Sequence, residues 1–120
     1  MKVAKLIAVG AVLTTAVACS STKSPAPVPQ AAGPVVEITI AHGTVTPTNA
    51  SLTAKVGQPI TLRVNSDADD ELHVHSTPEH EFEVKAQPEQ EFSFTVDVPG
   101  SVAVELHHLD RTVATIQVQP

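Results

Sequence analysis

The chain has 120 residues, 42% hydrophobic and 17% charged, which is enough for one small domain. Seven Lys and Arg against 13 Asp and Glu give a formal net charge of −6, which argues against a nucleic-acid partner and against an electrostatic grip on anionic lipid. Cys19 is the single cysteine, so no internal disulfide can form and the core must hold the domain by itself.

The first residues read as an export signal rather than as fold. Lys2 and Lys5 make a short positive start, and Leu6 to Leu13 is an uninterrupted apolar run. That run is shorter than the roughly 20 residues a membrane-spanning helix needs. Ala16, Val17 and Ala18 then lead into Cys19, and this AVAC segment resembles the lipobox of bacterial lipoproteins, with Ala16 where Leu is usual. The resemblance implies cleavage before Cys19 and acylation of its thiol, with chains such as palmitate holding the protein to a membrane outside the cytoplasm. Acyl chains anchor by burying methylenes at about 0.8 kcal/mol each. Loss of Lys2 and Lys5 with the signal leaves five basic residues against 13 acidic ones, a net charge of −8.

Residues 20 to 34 (SSTKSPAPVPQAAGP) are Ser-, Ala- and Pro-rich and carry no apolar periodicity. Pro-rich chain favours extended geometry near 3 Å per residue, so the segment predicts a tether reaching roughly 40 Å. The expected organisation is therefore a signal peptide over 1–18, a lipidated Cys19 with its tether over 19–34, and a folded domain over 35–120.

From Val35 onward apolar residues recur with period two. Val36, Ile38 and Ile40 share one face of the first run. Leu52, Ala54 and Val56 follow, then Ile60, Leu62 and Val64 after Gly57-Gln58-Pro59. Phe82, Val84 and Ala86 alternate with Glu81, Glu83 and Lys85. Phe92, Phe94 and Val96, then Val102, Val104 and Leu106, then Ala114, Ile116 and Val118 complete the series. Turn-forming residues separate the runs, notably Thr46 to Asn49, Ser66 to Asp70, Gln87-Pro88-Glu89 and Pro99-Gly100. No stretch keeps a 3.6-residue period. Seven or eight short, half-apolar strands predict an all-β, Greek-key sandwich of two sheets.

Five of the six histidines fall in two groups: His73 and His75 with His80 nearby, and His107 with His108. His73 and His75 are two apart on an expected strand, so both side chains leave one face with Cα atoms about 7 Å apart, a spacing from which two imidazoles can share a metal. A polar pair at a sheet end, bonded to Asp69, Asp70 or Glu71, is the other arrangement this spacing allows. His107 and His108 are adjacent and can meet one ion only if the chain turns there, as Asp110 and Arg111 suggest. His80 lies in an expected exposed loop, and His42, before Gly43, is expected to end a strand without chemistry. Glu79, Glu81 and Glu83 read as the wet face of an edge strand.

The ordered set VGQPITLRVNSDADDELHVH (56–75), EFSFTVDVPGSVAVELHH (91–108) and a final IQV strand resembles the cupredoxins, with Phe92, Phe94, Pro99 and Gly100 matching that family's corner before its ligand strand. The resemblance implies a cupredoxin-like sandwich with metal held at one pole. It also exposes a departure. The family's blue-copper site uses a thiolate, two imidazoles and a long axial Met. Here the cysteine slot falls on Leu106 and the downstream His slot on Leu109, and no Met follows Met1. His73 fills the upstream His slot.

What remains is an all-imidazole, non-blue site suited to copper, zinc or nickel in the divalent state. The candidate ligands are His73, His75, His107 and His108, with His80 in reserve. Glu71, Glu105 and Asp110 are candidate oxygen ligands or acceptors that orient the rings. The chain has no G-x-S-x-G elbow, no Gly-rich phosphate loop and no carboxylate pair placed in an obvious cleft, so an enzyme is not expected. The expected function is a membrane-anchored, extracytoplasmic metal-binding module, acting as carrier, buffer or accessory to a metal transporter or other envelope protein. A metal-free module for envelope protein interactions is the alternative.

Overall fold

The computed structural model describes residue 10 and residues 31–120; the expected signal segment, Cys19 and most of the tether fall outside them. Nine strands follow in chain order: β1 (Val35–Ala41), β2 (Thr44–Thr46), β3 (Ala50–Lys55), β4 (Ile60–Ser66), β5 (Asp70–Val74), β6 (His80–Val84), β7 (Gln90–Phe94), β8 (Gly100–Leu106) and β9 (Arg111–Gln119). No helix occurs among the described residues. The strand added beyond the seven or eight expected is β2. At three residues it is too short to show an alternation in sequence.

The strands form a four-stranded sheet in the order β2-β1-β4-β7 and a five-stranded sheet in the order β3-β9-β8-β5-β6. The β1–β4 and β3–β9 pairs are parallel and the rest antiparallel. The chain crosses repeatedly between the sheets, so each sheet brings together residues distant in sequence. The fold is the all-β sandwich that the alternation predicts.

Period-two patterning produces the two layers directly. In β1 the inward residues Val36, Ile38 and Ile40 are buried while Val35, Glu37 and Thr39 are exposed. Ile60, Leu62 and Val64 from β4, Leu72 and Val74 from β5, and Val104 and Leu106 from β8 meet them in one continuous core. Burial of such a side chain contributes about 1.5–3 kcal/mol, so the interlocked inner faces, not any covalent link, hold the sheets together. No buried side-chain nitrogen or oxygen lacks a partner among the described residues.

Two local features adjust the expected boundaries. His42 (φ 53°) and Gly43 (φ 72°) both have positive φ and close the two-residue turn between β1 and β2. Left-handed values at both central positions suit the twist of an antiparallel hairpin. His42 is thus a turn residue rather than a strand end, and its amide donates to Asp67 Oδ2 at 2.9 Å. Ordered contact also begins before residue 35. Gln58 Nε2 donates to the Ala32 carbonyl at 3.2 Å, the Gly33 amide to the Pro59 carbonyl at 2.9 Å, and the Thr61 amide to the Pro34 carbonyl at 3.1 Å. The last residues of the expected tether are docked on the start of β4.

Candidate metal site

The outer face of the five-stranded sheet carries the chemistry. Along β5 the residues Asp70, Leu72 and Val74 turn inward, which leaves Glu71 and His73 on the outside. Antiparallel register sets His73 between Glu81 of β6 and Glu105 of β8, and sets Glu71 opposite Glu83. Paired residues in such ladders share a face, so imidazoles and carboxylates stand in one row. His75 follows immediately after β5, where its amide donates to the Ala103 carbonyl at 2.9 Å.

The imidazoles of His73 and His75 have centroids 4.2 Å apart and planes inclined by 35°. The loop between β5 and β6 folds back so that Glu79 joins them. One ligand atom from each of His73, His75 and Glu79 lies within 4.8 Å of the others. Glu79 hydrogen-bonds His73 Nε2, Glu81 Oε1 lies 3.8 Å from that nitrogen, and Glu105 Oε2 lies 2.9 Å from His75 Nε2. Carboxylates that hold imidazole nitrogens fix ring orientation, as in metal-site outer shells. Lys85 does not neutralise the cluster. It is bound by Glu83, and that hydrogen bond raises its pKa and keeps it charged.

The structure separates the two histidine groups. Residues 107–110 form the turn from β8 to β9, and the His107 amide donates to the Glu71 carbonyl at 2.9 Å, at the start of β5. His75 lies at the other end of that strand. Four residues at about 3.4 Å each put roughly 13 Å between these positions. Antiparallel β5 and β8 set His107 beside Glu71 and His75 beside Ala103, with His73 between them opposite Glu105, and among the described residues the cluster around His73 and His75 includes neither His107 nor His108. His107 and His108 do come close to each other, with centroids 6.1 Å apart. His107 Nδ1 faces Glu71 Oε1 at 3.4 Å and His108 Nδ1 faces the Asp69 carbonyl at 3.4 Å. The expected partners Asp69, Asp70 and Glu71 thus serve the second histidine pair, not the first.

His80 is not in an exposed loop. It opens β6 and is half-buried, its ring centroid 5.3 Å from that of Phe94 and its Nε2 3.1 Å from the Thr95 carbonyl. Its inward position follows from the register, which pairs it with the buried Val74. Asp110 takes a positive φ of 52° in the β8–β9 turn, and its carbonyl accepts from Arg111.

Two residues carry more than their sequence context indicated. Glu79 read as one of three wet glutamates; its place beside His73 depends on how the loop after Val74 closes. Asp70 is a buried carboxylate that accepts from the amides of Glu71 (2.7 Å), His108 (2.8 Å) and Leu109 (3.2 Å). The available signal was its position in a run of acidic residues just before an apolar alternation, which does not distinguish a cap from a solvated charge.

The pole that the cupredoxin resemblance assigns to copper does not offer a blue site. Leu106 is buried opposite Leu72, and Leu109 packs against the core. Both supply only hydrocarbon, so the thiolate–imidazole–thioether set does not fit this chain.

No family model matches the chain, and no curated protein does. Similar solved structures exist. Auracyanin B aligns with a TM-score of 0.54 at 14% identity, covering 78% of this chain and 94% of that one. A Cu(I) structure of an amicyanin methionine-to-alanine mutant aligns at 0.48 and 19% identity, covering 71% of this chain and 82% of that one. The reduced Cu(I) form, at pH 4, of an amicyanin proline-to-glycine mutant aligns at 0.48 and 19%, covering 78% and 87%. At such identities the auracyanin alignment speaks for architecture alone: nine strands in two mixed sheets, folded as a cupredoxin-like β-sandwich.

Proposed function

We propose that this protein is a lipid-anchored, extracytoplasmic metal-binding module that holds a divalent ion, copper foremost, at a non-blue site on the outer face of its five-stranded sheet. The observation that carries the reading is the convergence of His73, His75 and Glu79 within 4.8 Å. Two imidazoles and a carboxylate match the preferences of Cu(II), Zn(II) and Ni(II), with Cu(II) the strongest binder in that order. The cupredoxin-like fold is consistent with a copper role, although the ligands lie away from the pole. The module serves as carrier, buffer or accessory to an envelope transporter.

Isothermal titration of the full chain tests the site. One Cu(II) should bind with a dissociation constant of about 1 μM or lower. His73→Ala and Glu79→Gln should each weaken binding by about 10- to 100-fold, whereas His107→Ala should leave it unchanged. Absence of heat with Cu(II), Zn(II) and Ni(II) would leave the domain as a metal-free scaffold. The anchor is tested independently by mass spectrometry of protein from bacterial membranes, where the N-terminal peptide should begin at an acylated Cys19. An intact segment before Cys19 would falsify the anchor.

A further inference from the structure

The site has a second property, which rests on reading it as a metal centre. We propose that it discriminates the oxidation state of copper, holding Cu(II) and releasing Cu(I), so that reduction unloads the protein. The first ground is the donor inventory. The sequence contains one Met, Met1, and one Cys, Cys19, so nothing from residue 20 to 120 can offer a thiolate or thioether. Those are the soft ligands that select Cu(I), whereas imidazole and carboxylate suit Cu(II).

Geometry is the second ground. Two imidazoles can hold Cu(I) without sulfur if they approach it from opposite sides. His73 and His75 stand side by side with ring centroids 4.2 Å apart, not across an ion from one another. That arrangement suits neighbouring positions around a higher-coordinate ion. Glu79 and His75 are exposed, which leaves the remaining positions open to water.

Charge is the third ground. Glu79 and Glu81 face His73, and Glu105 faces His75. The nearby cation Lys85 is taken by Glu83, and Arg63 sits on the other sheet between Glu37 and Glu91. Carboxylates so placed attract a doubly charged ion about twice as strongly as a singly charged one. Unloading needs one electron per ion from a one-electron reductant such as ascorbate. The copper is reduced, the reductant is oxidised, and the imidazole and carboxylate donors detach without any bond within the protein being broken.

The test loads the full chain with one equivalent of Cu(II), confirms the paramagnetic signal, adds ascorbate under argon and passes the sample through a desalting column. The expected result is loss of copper from the protein fraction after reduction, and retention in the unreduced control. Copper that co-elutes with the reduced chain and with its Cys19→Ser variant would overturn the selectivity while leaving metal binding intact. Retention abolished by Cys19→Ser would trace to that sulfur and would support the assignment for the sheet site. Failure to take up Cu(II) at the outset would overturn the metal reading itself, and this inference with it.

Discussion

At the scale of single residues, Asp70 and Glu79 show how differently two carboxylates act a short distance apart in the chain. Asp70 is buried at the start of β5 and satisfies the amides of His108 and Leu109, which makes it the clamp on the β8–β9 turn. Its removal takes the acceptor from these two turn amides and from that of Glu71, at a cost of about 1–3 kcal/mol for each that water does not reach. Asp70→Ala should therefore lower unfolding stability by about 2–4 kcal/mol, read as a reduced urea midpoint, while Asp70→Asn, which keeps one carbonyl acceptor, should lose less. An unchanged midpoint for Asp70→Ala would mean that water satisfies the turn. Glu79 is exposed, so Glu79→Gln should leave the urea midpoint where it is and weaken only metal binding. The two substitutions separate architecture from chemistry.

At the scale of elements, the entry to β1 depends on a close approach that only glycine permits. A Cβ on Gly33 would collide with the Pro59 carbonyl oxygen, well inside any allowed contact. Gly33→Val should detach residues 31–34 from the β4 entry and break the Gly33–Pro59 hydrogen bond, at a cost of about 1 kcal/mol. Hydrogen exchange should then be faster at residue 33 and at Thr61, with the core strands unaffected. Unaltered exchange would show that the docking contributes nothing. The β5–β6 hairpin is the other informative element. Its alternation puts His80 inside against Phe94 while the neighbouring Glu79 and Glu81 face His73. One hairpin thus seals an edge of the core and completes the candidate site. A charge inserted at position 82, among the packed aromatic rings, should disturb both together.

At the scale of the whole molecule, a sandwich without disulfides relies on its apolar inner faces, and a ligand that binds only the folded state adds to that stability. His73 and His75 depend on β5 being formed and Glu79 on the closure of the β5–β6 loop, so the site does not survive unfolding. At a free ion concentration 100 times the dissociation constant, binding contributes about 2.7 kcal/mol. For a domain of this size that corresponds to a rise in Tm of roughly 10–20 °C. Calorimetry with and without Cu(II) should show the rise in the natural chain and not in a His73→Ala, His75→Ala double variant. Equal rises in both would place the ion elsewhere, for instance at His107 and His108.

All of the strands but β2, most of their inward residues and the lack of any Cys or Met from residue 20 to 120 were legible in the sequence alone. Side-chain direction alternates along any strand, so Val36, Ile38 and Ile40 declare an inner face without reference to a partner. Ligand inventory is likewise a property of composition, since residues 20 to 120 contain neither Cys nor Met. Tertiary structure decided which histidines stand together. That outcome depends on strand direction and register, and local alternation carries neither. Strand register sets His107 and His108 beside Glu71 and Asp69, and the residue that joins His73 and His75 is instead Glu79, across a turn whose closure no periodicity encodes.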